Sequence, residues 1–346
     1  MPRLYIEEYT QALKGKTVCI ACREGILRDH FEVVIDDIKL LARHGIQTDL
    51  YHNIANRFAN QKYFRRLMER LPETRIVRVP PDADFYTYVL DHEEKVHKLI
   101  FLERKALIDQ AGRKINTVTT QGVRQSITTW GDLIANTNFK GALERICTRI
   151  ENGEYDRVHI LPAGKNAIKH ELFTIEGCGT LIANNFGERF QAVSTEEDVR
   201  IIDGILKLYR SDGFLKPRAK SYLMEKRANF FVTLIDDIVV GCVEKKLVNR
   251  DTVEIAALAI STKFRHQRVG MFTLHTFIET FAREGYRRFI SLTNNPNLIR
   301  LYDEMGFQPC HRPEYQPRQA LSPGVGMFYL ELAPETNPPQ TQVHIR

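Results

Sequence analysis

Short apolar runs alternate with helical periodicities along almost the whole chain, and that alternation restricts it to α/β architectures. "KTVCIAC" reads as a strand buried on both faces, and "DHFEVVIDDIKLLARHG" as a helix that Gly45 ends. "IQTDLYH", "RIVRVP", "HKLIFLE" and "INTVTTQGV" follow as strands. "FKGALERICTRIENG" is helical with Gly153 as its stop, and "DRVHILPA" is again a strand. Strands separated by helices in this way predict a parallel sheet.

The pattern changes near "VSTEEDVRIIDGILKLYRSDG". Thr195 followed by Asp198 is a capping-box signal, and Ile201, Ile202, Ile205 and Leu208 supply the apolar stripe of the helix behind it. "NFFVTLIDDIVVGCVEKKL" predicts a hairpin turning at Asp236–Asp237, and "TVEIAALAI" a third strand. A basic turn, the helix "GMFTLHTFIETFAREG", the strand "YRRFISL", a short helix "NPNLIRLYDEMG" and late strands near "FQPCH" and "GMFYLEL" complete the order. A length of 346 residues calls for two cores rather than one. We place the first domain at 1–189 and the second at 190–332, with a Pro-rich tail at 333–346.

Composition excludes several classes. No apolar run approaches the roughly 20 residues needed to cross a bilayer, and the first twenty residues carry charges throughout, unlike a signal peptide. Six scattered cysteines do not make a disulfide framework, so a reduced, cytoplasmic setting is expected. Cys19 and Cys22 form a lone C-x-x-C on a strand, which reads as buried packing rather than a metal or redox pair. No metal is expected. A net charge of +6 without any Lys/Arg block favours small anionic ligands over nucleic acid.

The sharpest local signal is "TKFRHQRVGMF", residues 262–272, between the strand "EIAALAI" and the next helix. Unpaired N–H groups at a helix start, the positive end of the helix and nearby arginines together suit a phosphate. The other reading is a basic, solvated loop.

In chain order, helix, hairpin, strand, Gly-bearing turn, helix, strand and "LYDEMGF" resemble the GNAT acyl-CoA N-acetyltransferase superfamily over about residues 193–331. Its Arg/Gln-x-x-Gly-x-Gly/Ala turn is matched by Gln267-Arg268-Val269-Gly270-Met271-Phe272, with Phe272 in place of the small final residue. The resemblance implies acetyl-CoA as donor. Its pyrophosphate would meet Gln267, Arg268, Val269, Gly270 and Met271, with Arg265 adding charge. The backbone of Leu258, Ala259 and Ile260 would pair with pantetheine, and Asn297 would lie near that arm. Direct attack of an amine on the thioester in a ternary complex needs a base and an acid. Glu254 is the candidate base, through water, and Tyr302 the candidate acid. The structural alternatives are a strand residue and a packed helix residue.

"HELFTIEGCGTLI", residues 170–182, resembles the end of the amino-acid kinase domain, where Glu171, Leu172, Phe173, Thr174, Gly177, Gly179 and Thr180 all fit. "YIEEYTQALKGKTVCI" resembles its start. The family's Lys-x-Gly-Gly is replaced by Ala21-Cys22-Arg23-Glu24, and its second Gly-rich turn by "HNIANRF" at His52–Phe58, so no kinase activity is expected. The domain is also shorter than a full kinase. A degenerate kinase-like domain ahead of a GNAT domain is the layout of acetylglutamate synthases. That resemblance implies acetylation of glutamate or a related amino acid, as in arginine biosynthesis. It places Lys216 and Arg218 on the substrate carboxylate, puts Glu171 and Gly177 at an arginine effector site, and suggests a homo-oligomer joined through the Tyr5 helix. A second class stays open, a non-catalytic amino-acid and CoA sensor or assembly subunit. A different small amine or a protein lysine as substrate also stays open.

Overall fold

The computed structural model describes residues 3–333 apart from 56–60, 72–73, 94–95, 110, 127–136 and 266. The tail beyond 333 and the last three residues of "HNIANRF" lie outside the described residues. The chain divides into two compact units. One takes in the chain up to Glu188 with the segments Leu234–Val240 and Ser261–Gln267; the other takes in Arg189–Thr233, Gly241–Ile260 and the chain from Arg268.

The first unit opens with helix α1 (Ile6–Leu13), whose approach is fixed where Tyr5 N–H donates to the Phe173 carbonyl. Its sheet has seven strands: β1 (Thr17–Cys22), β2 (Gln47–His52), β3 (Thr74–Arg78), β4 (Val96–Glu103), β5 (Thr117–Thr119), β6 (Tyr155–Pro162) and β7 (Thr180–Ala183). They lie in the order β3-β2-β1-β4-β6-β7-β5. Helices α2 (Phe31–Arg43), α3 (Thr137–Glu151) and α4 (Ala167–Phe173) cover it. Leu99, Phe101, Val158 and Ile160 of the central strands pack with Leu143 and Ile146 of α3. Cys19 and Cys22 are free, buried thiols of β1, and burial pushes both above the ordinary thiol range.

Two expectations need correction here. The sheet is not wholly parallel, because β7 runs antiparallel to β6. The turn after α4 folds its Cys178 and Gly179 N–H groups onto the Glu171 carboxylate, which sends the chain back along β6. "INTVTTQGV" is only three residues of strand, followed by a helix over Thr120–Ser126. The Thr119 hydroxyl accepts from Gly122 N–H at 3.1 Å and so starts a helix where β-branched composition predicts continued strand.

The second sheet also has seven strands: β8 (Arg189–Ala192), β9 (Phe230–Ile235), β10 (Ile238–Leu247), β11 (Thr252–Ile260), β12 (Arg288–Thr293), β13 (Gln308–Pro309) and β14 (Gly326–Glu331). Their order is β13-β14-β12-β11-β10-β9-β8. Asp236 and Asp237 turn the β9–β10 hairpin with φ of 53° and 65°, as expected of a two-residue loop. Helix α5 (Glu196–Ser211) begins with the predicted capping box of Thr195 and Asp198. Helix α6 (Val269–Arg283) buries Val269, Thr273, Leu274, Phe277, Ile278 and Phe281, a single face at helical spacing. Phe277 and Phe281 pack with Ile255, Phe289 and Tyr302, and each contributes roughly 1.5–3 kcal/mol by burial. Helices α7 (Pro296–Glu304) and α8 (Gln316–Ala320) complete the unit.

Candidate active site

The second unit has a break at its centre. β11 pairs with β12 in parallel only through Thr252–Arg288, Val253–Phe289 and Glu254–Ile290. Beyond that register Ala256–Ile260 have no ladder partner on the β12 side. On the β10 side the ladder slips between Cys242 and Glu244, where Ala257 and Leu258 together face one residue. This is a β-bulge, and Ala257 takes φ of 51°. A non-glycine in that region costs roughly 1–2 kcal/mol, and the strand carries it at the point where it leaves its neighbour. Ser291 bridges the gap, donating its hydroxyl to the Ile255 carbonyl at 2.8 Å. The Ile260 carbonyl accepts from Tyr209 Oη at 2.8 Å.

Just beyond lies the start of α6. Arg268 sits before its first turn at φ 59°, and no side chain caps the helix. The first N–H groups of an α-helix have no partner within it, and no described side chain caps those of Val269, Gly270 and Met271. A Cβ built on Gly270 would meet Leu301 Cδ2 at 3.5 Å and Ile260 Cγ1 at 3.7 Å, both ordinary contacts. Arg265 and Gln267 belong to the first unit. There the Gln267 amide donates to the Thr117 carbonyl at 2.8 Å, so the turn motif's glutamine side chain is engaged elsewhere. Asn297, in the first turn of α7, is exposed, and its Oδ1 accepts from Arg300 at 2.5 Å.

Glu254 is 3 % exposed. Both its oxygens are held by the Arg318 guanidinium, at 2.5 Å from Nε and 2.6 Å from Nη2. Sequence reading passed over Arg318; the available signal was a carboxylate inside an otherwise apolar strand, which needs a buried cation. Lys216 donates to the Leu321 carbonyl at 2.8 Å and to Ser322 Oγ at 3.2 Å, and Arg318 Nη1 reaches the same Oγ at 3.4 Å. Arg218 donates to Glu244 at 3.1 Å, and Glu244 is fully buried. Tyr222 also donates to Glu244, and its hydroxyl is pushed up to about 12 by burial and then by that bond. The structure therefore brings Lys216 and Glu254 together through Arg318 and Ser322, and sets Arg218 on a separate buried acid.

Tyr302 has no exposed surface. Its hydroxyl donates to Ser291 Oγ at 2.6 Å, the hydroxyl that crosses the strand gap. Burial pushes Tyr302 well above the ordinary phenol range, against the opposing effect of the Ser291 bond. The ring packs on Phe307 and Phe328.

In the first unit, Glu171 Oε1 takes Lys263 Nζ at 2.7 Å and His159 Nδ1 at 2.8 Å. Oε2 accepts from Cys178 N–H at 2.8 Å and Gly179 N–H at 2.9 Å. Burial pushes this carboxyl up, but Lys263 and His159 together hold it well below the ordinary range. Gly177 has φ of 62°, and a Cβ there would come within 2.8 Å of Glu171 Oε2. That explains the glycine of the signature. His159 is pushed down to about 4 by burial, so its Nδ1 carries the proton toward Glu171, and its Nε2 is buried without a hydrogen-bond partner. At the ends of β1 and β4, where ligands of parallel sheets gather, Arg23 Nη2 donates to Glu103 at 2.8 Å and Tyr86 Oη to the same carboxylate at 2.5 Å. Among the described residues no group of three or more His, Cys, Asp or Glu is placed to hold a metal. Among them no helix is long and apolar enough to cross a membrane.

Residues 202–307 match the Acetyltransferase (GNAT) family. Amino-acid acetyltransferases of two Pseudomonas fluorescens strains are 27% and 28% identical over 217 and 214 residues, each match covering 61% of this chain and 48% of the relative. The chain thus spans about half the length of the curated relatives it matches. The N-acetylglutamate synthase of Neisseria gonorrhoeae, solved with coenzyme A and L-arginine, superposes with a TM-score of 0.52 at 18% identity, covering 95% of this chain and 99% of that one. At that identity the likeness is one of fold.

Proposed function

We propose, from the premise that this chain joins an amino-acid-kinase-like α/β unit to a GNAT acetyltransferase domain, that it acetylates the α-amine of glutamate or a close relative from acetyl-CoA. The observation that carries this reading is the parting of β11 from β12 beyond Glu254–Ile290, beside the uncapped start of α6. An extended amide arm fits such an unpaired strand edge, and a diphosphate fits a bare helix start. Leu258, Ala259 and Ile260 would line the arm, Arg268 and the N–H groups of Val269, Gly270 and Met271 would hold phosphate oxygens, and Asn297 would border the gap.

Acetyl-CoA supplies an activated thioester carbonyl. Glu254 takes a proton from the substrate ammonium through water. The freed amine forms the C–N bond as the C–S bond breaks, Tyr302, linked to Ser291, gives a proton to the departing sulfur, and the second proton lost by the nitrogen restores the Tyr302 hydroxyl. Lys216 would meet a substrate carboxylate, and Arg218 would do so only by leaving Glu244. The first unit carries out no phosphoryl transfer, because Arg23 is committed to Glu103 at the strand ends. Its role is then an effector site around Glu171 and Gly177 or assembly of a cytoplasmic oligomer.

The test is thiol release from acetyl-CoA across the free amino acids, alongside thermal unfolding with acetyl-CoA. Saturating donor at 100 times its Kd should stabilise the fold by about 2.7 kcal/mol, and glutamate should give the fastest release. Donor binding without release for any amine would leave a non-catalytic sensor. The absence of donor binding would remove the acetyltransferase reading altogether.

A further inference from the structure

In the reading above Glu254 serves as the base, yet both its oxygens are already taken by one guanidinium. Arg318 comes from α8, a helix of five residues, and its side chain is 27% exposed while that of Glu254 is 4% exposed. Its remaining nitrogen, Nη1, reaches Ser322 Oγ, the atom that also accepts from Lys216. A planar fork of this kind suits a carboxylate in bidentate fashion, and it does not distinguish the carboxylate of Glu254 from one that a substrate brings. Lys216 brings a second positive charge to Ser322.

We propose that Arg318 is a specificity switch: a substrate carboxylate displaces Glu254 from the Arg318 fork, and only that exchange frees Glu254 to accept a proton from the amine. The proposal rests on the acetyltransferase reading above and adds to it the reason why an acidic amine is chosen. An amine without a carboxylate in the right place leaves Glu254 clamped, with its hydrogen-bonding oxygens filled. Selection then acts on the chemical step as well as on binding. Arg318 contacts the substrate carboxylate, and Glu254 takes the proton from the amine.

Three amines of equal size separate the possibilities: L-glutamate, L-glutamine, and the α-amide of glutamate. In the wild type, kcat/KM for glutamate should exceed that of both amides. In Arg318→Gln the value for glutamate should fall about 10- to 100-fold, mainly through KM, the range expected when a charged hydrogen-bonding partner is lost. The amide lacking the exchanged carboxylate should gain in kcat, because Glu254 is no longer clamped. Arg318→Lys keeps the charge without the fork and should give an intermediate ratio; it carries the test if Arg318→Gln fails to melt cooperatively. A common fall for all three amines, or an unchanged ratio, overturns the switch. Acetyl-CoA binding by calorimetry and thiol release by the wild type report separately on the underlying reading. A wild type that releases no thiol overturns both, whereas an active wild type with a uniformly weakened variant overturns the role of Arg318 alone.

Discussion

Two buried carboxylates, one in each unit, are held in different ways. Glu171 meets Lys263, His159 and two backbone N–H groups, so both its oxygens are filled, in part by groups that cannot move without the fold moving. Glu254 is held by one side chain from a short helix. The same contrast extends outward. At the strand ends of the first unit, Arg23 Nη2 and Tyr86 Oη both donate to Glu103, while Arg23 Nε is buried without a hydrogen-bond partner. In the second unit the strand edge beyond Glu254–Ile290 has no ladder partner on the β12 side, and no described side chain caps the start of α6. A carboxylate whose oxygens are filled largely by the fold reports on stability, and one held by a single side chain can exchange that side chain for a ligand.

The strongest way to break this contrast is to remove each acid. Glu171→Ala leaves Lys263 without its buried partner and should cost about 3–5 kcal/mol, read from denaturant unfolding. Glu254→Gln should cost less, since Arg318 can turn toward solvent, and should lower thiol release instead. Equal losses of stability would erase the distinction. Tyr302→Phe comes next. Removing its hydroxyl gives up one hydrogen bond, worth about 1 kcal/mol to folding, because Ser291 keeps the Ile255 carbonyl. If that hydroxyl protonates the sulfur, kcat should fall by about 100-fold or more with acetyl-CoA affinity unchanged. An unaltered kcat would move the donor elsewhere.

A smaller effect sharpens the first half of the comparison through pH. Burial pushes His159 down to about 4 from an ordinary 6.5. Between those values the unfolded chain binds a proton that the folded chain refuses, so stability is intact above 6.5 and is lost as pH falls toward 4. The slope for this one group is about 1.4 kcal/mol per pH unit. Asp37 acts in the opposite sense, since burial pushes it up to about 6, but it is common to both proteins when wild type is compared with His159→Gln. The difference between their unfolding free energies should therefore narrow steadily from pH 6.5 to 4. A constant difference would mean that His159 is not held neutral beside Glu171.

Much of this molecule was readable from its sequence because local periodicity and tertiary need agree there. The capping box at Thr195, the hairpin at Asp236–Asp237 and the strand-to-helix turn before Gly270 are each set by residues close in sequence. What escaped depends on distant parts of the chain. The bulge at Ala257 has no glycine to mark it, and its left-handed backbone follows from the slip of β11 against β10. Arg318 and Glu254 are 64 residues apart, and Lys263 and Glu171 are 92 apart. In each pair the carboxylate inside an apolar or glycine-rich stretch announced that a partner was needed, without saying which one. The Gln267 side chain fitted a sequence pattern, yet its amide goes to Thr117.

Gly270 offers the finest division between a completed region and an open one. A methyl group added there meets Leu301 and Ile260 at ordinary contact distances, and its helical backbone needs no glycine. On the protein's own account Gly270→Ala should be neutral or should gain up to about 1 kcal/mol from helix propensity. The only partner such a methyl group could obstruct is one that comes close to the first turn of α6. If phosphate oxygens reach the N–H groups of Val269, Gly270 and Met271, the added carbon lengthens those bonds, and acetyl-CoA should bind about tenfold more weakly, the equivalent of one weakened charge-assisted hydrogen bond. Calorimetric titration beside a melting curve separates the two quantities. A variant that melts higher and binds as before would show that the helix start is merely exposed; one that melts lower would show that the space around Gly270 is already filled by the protein, as it is around Gly177.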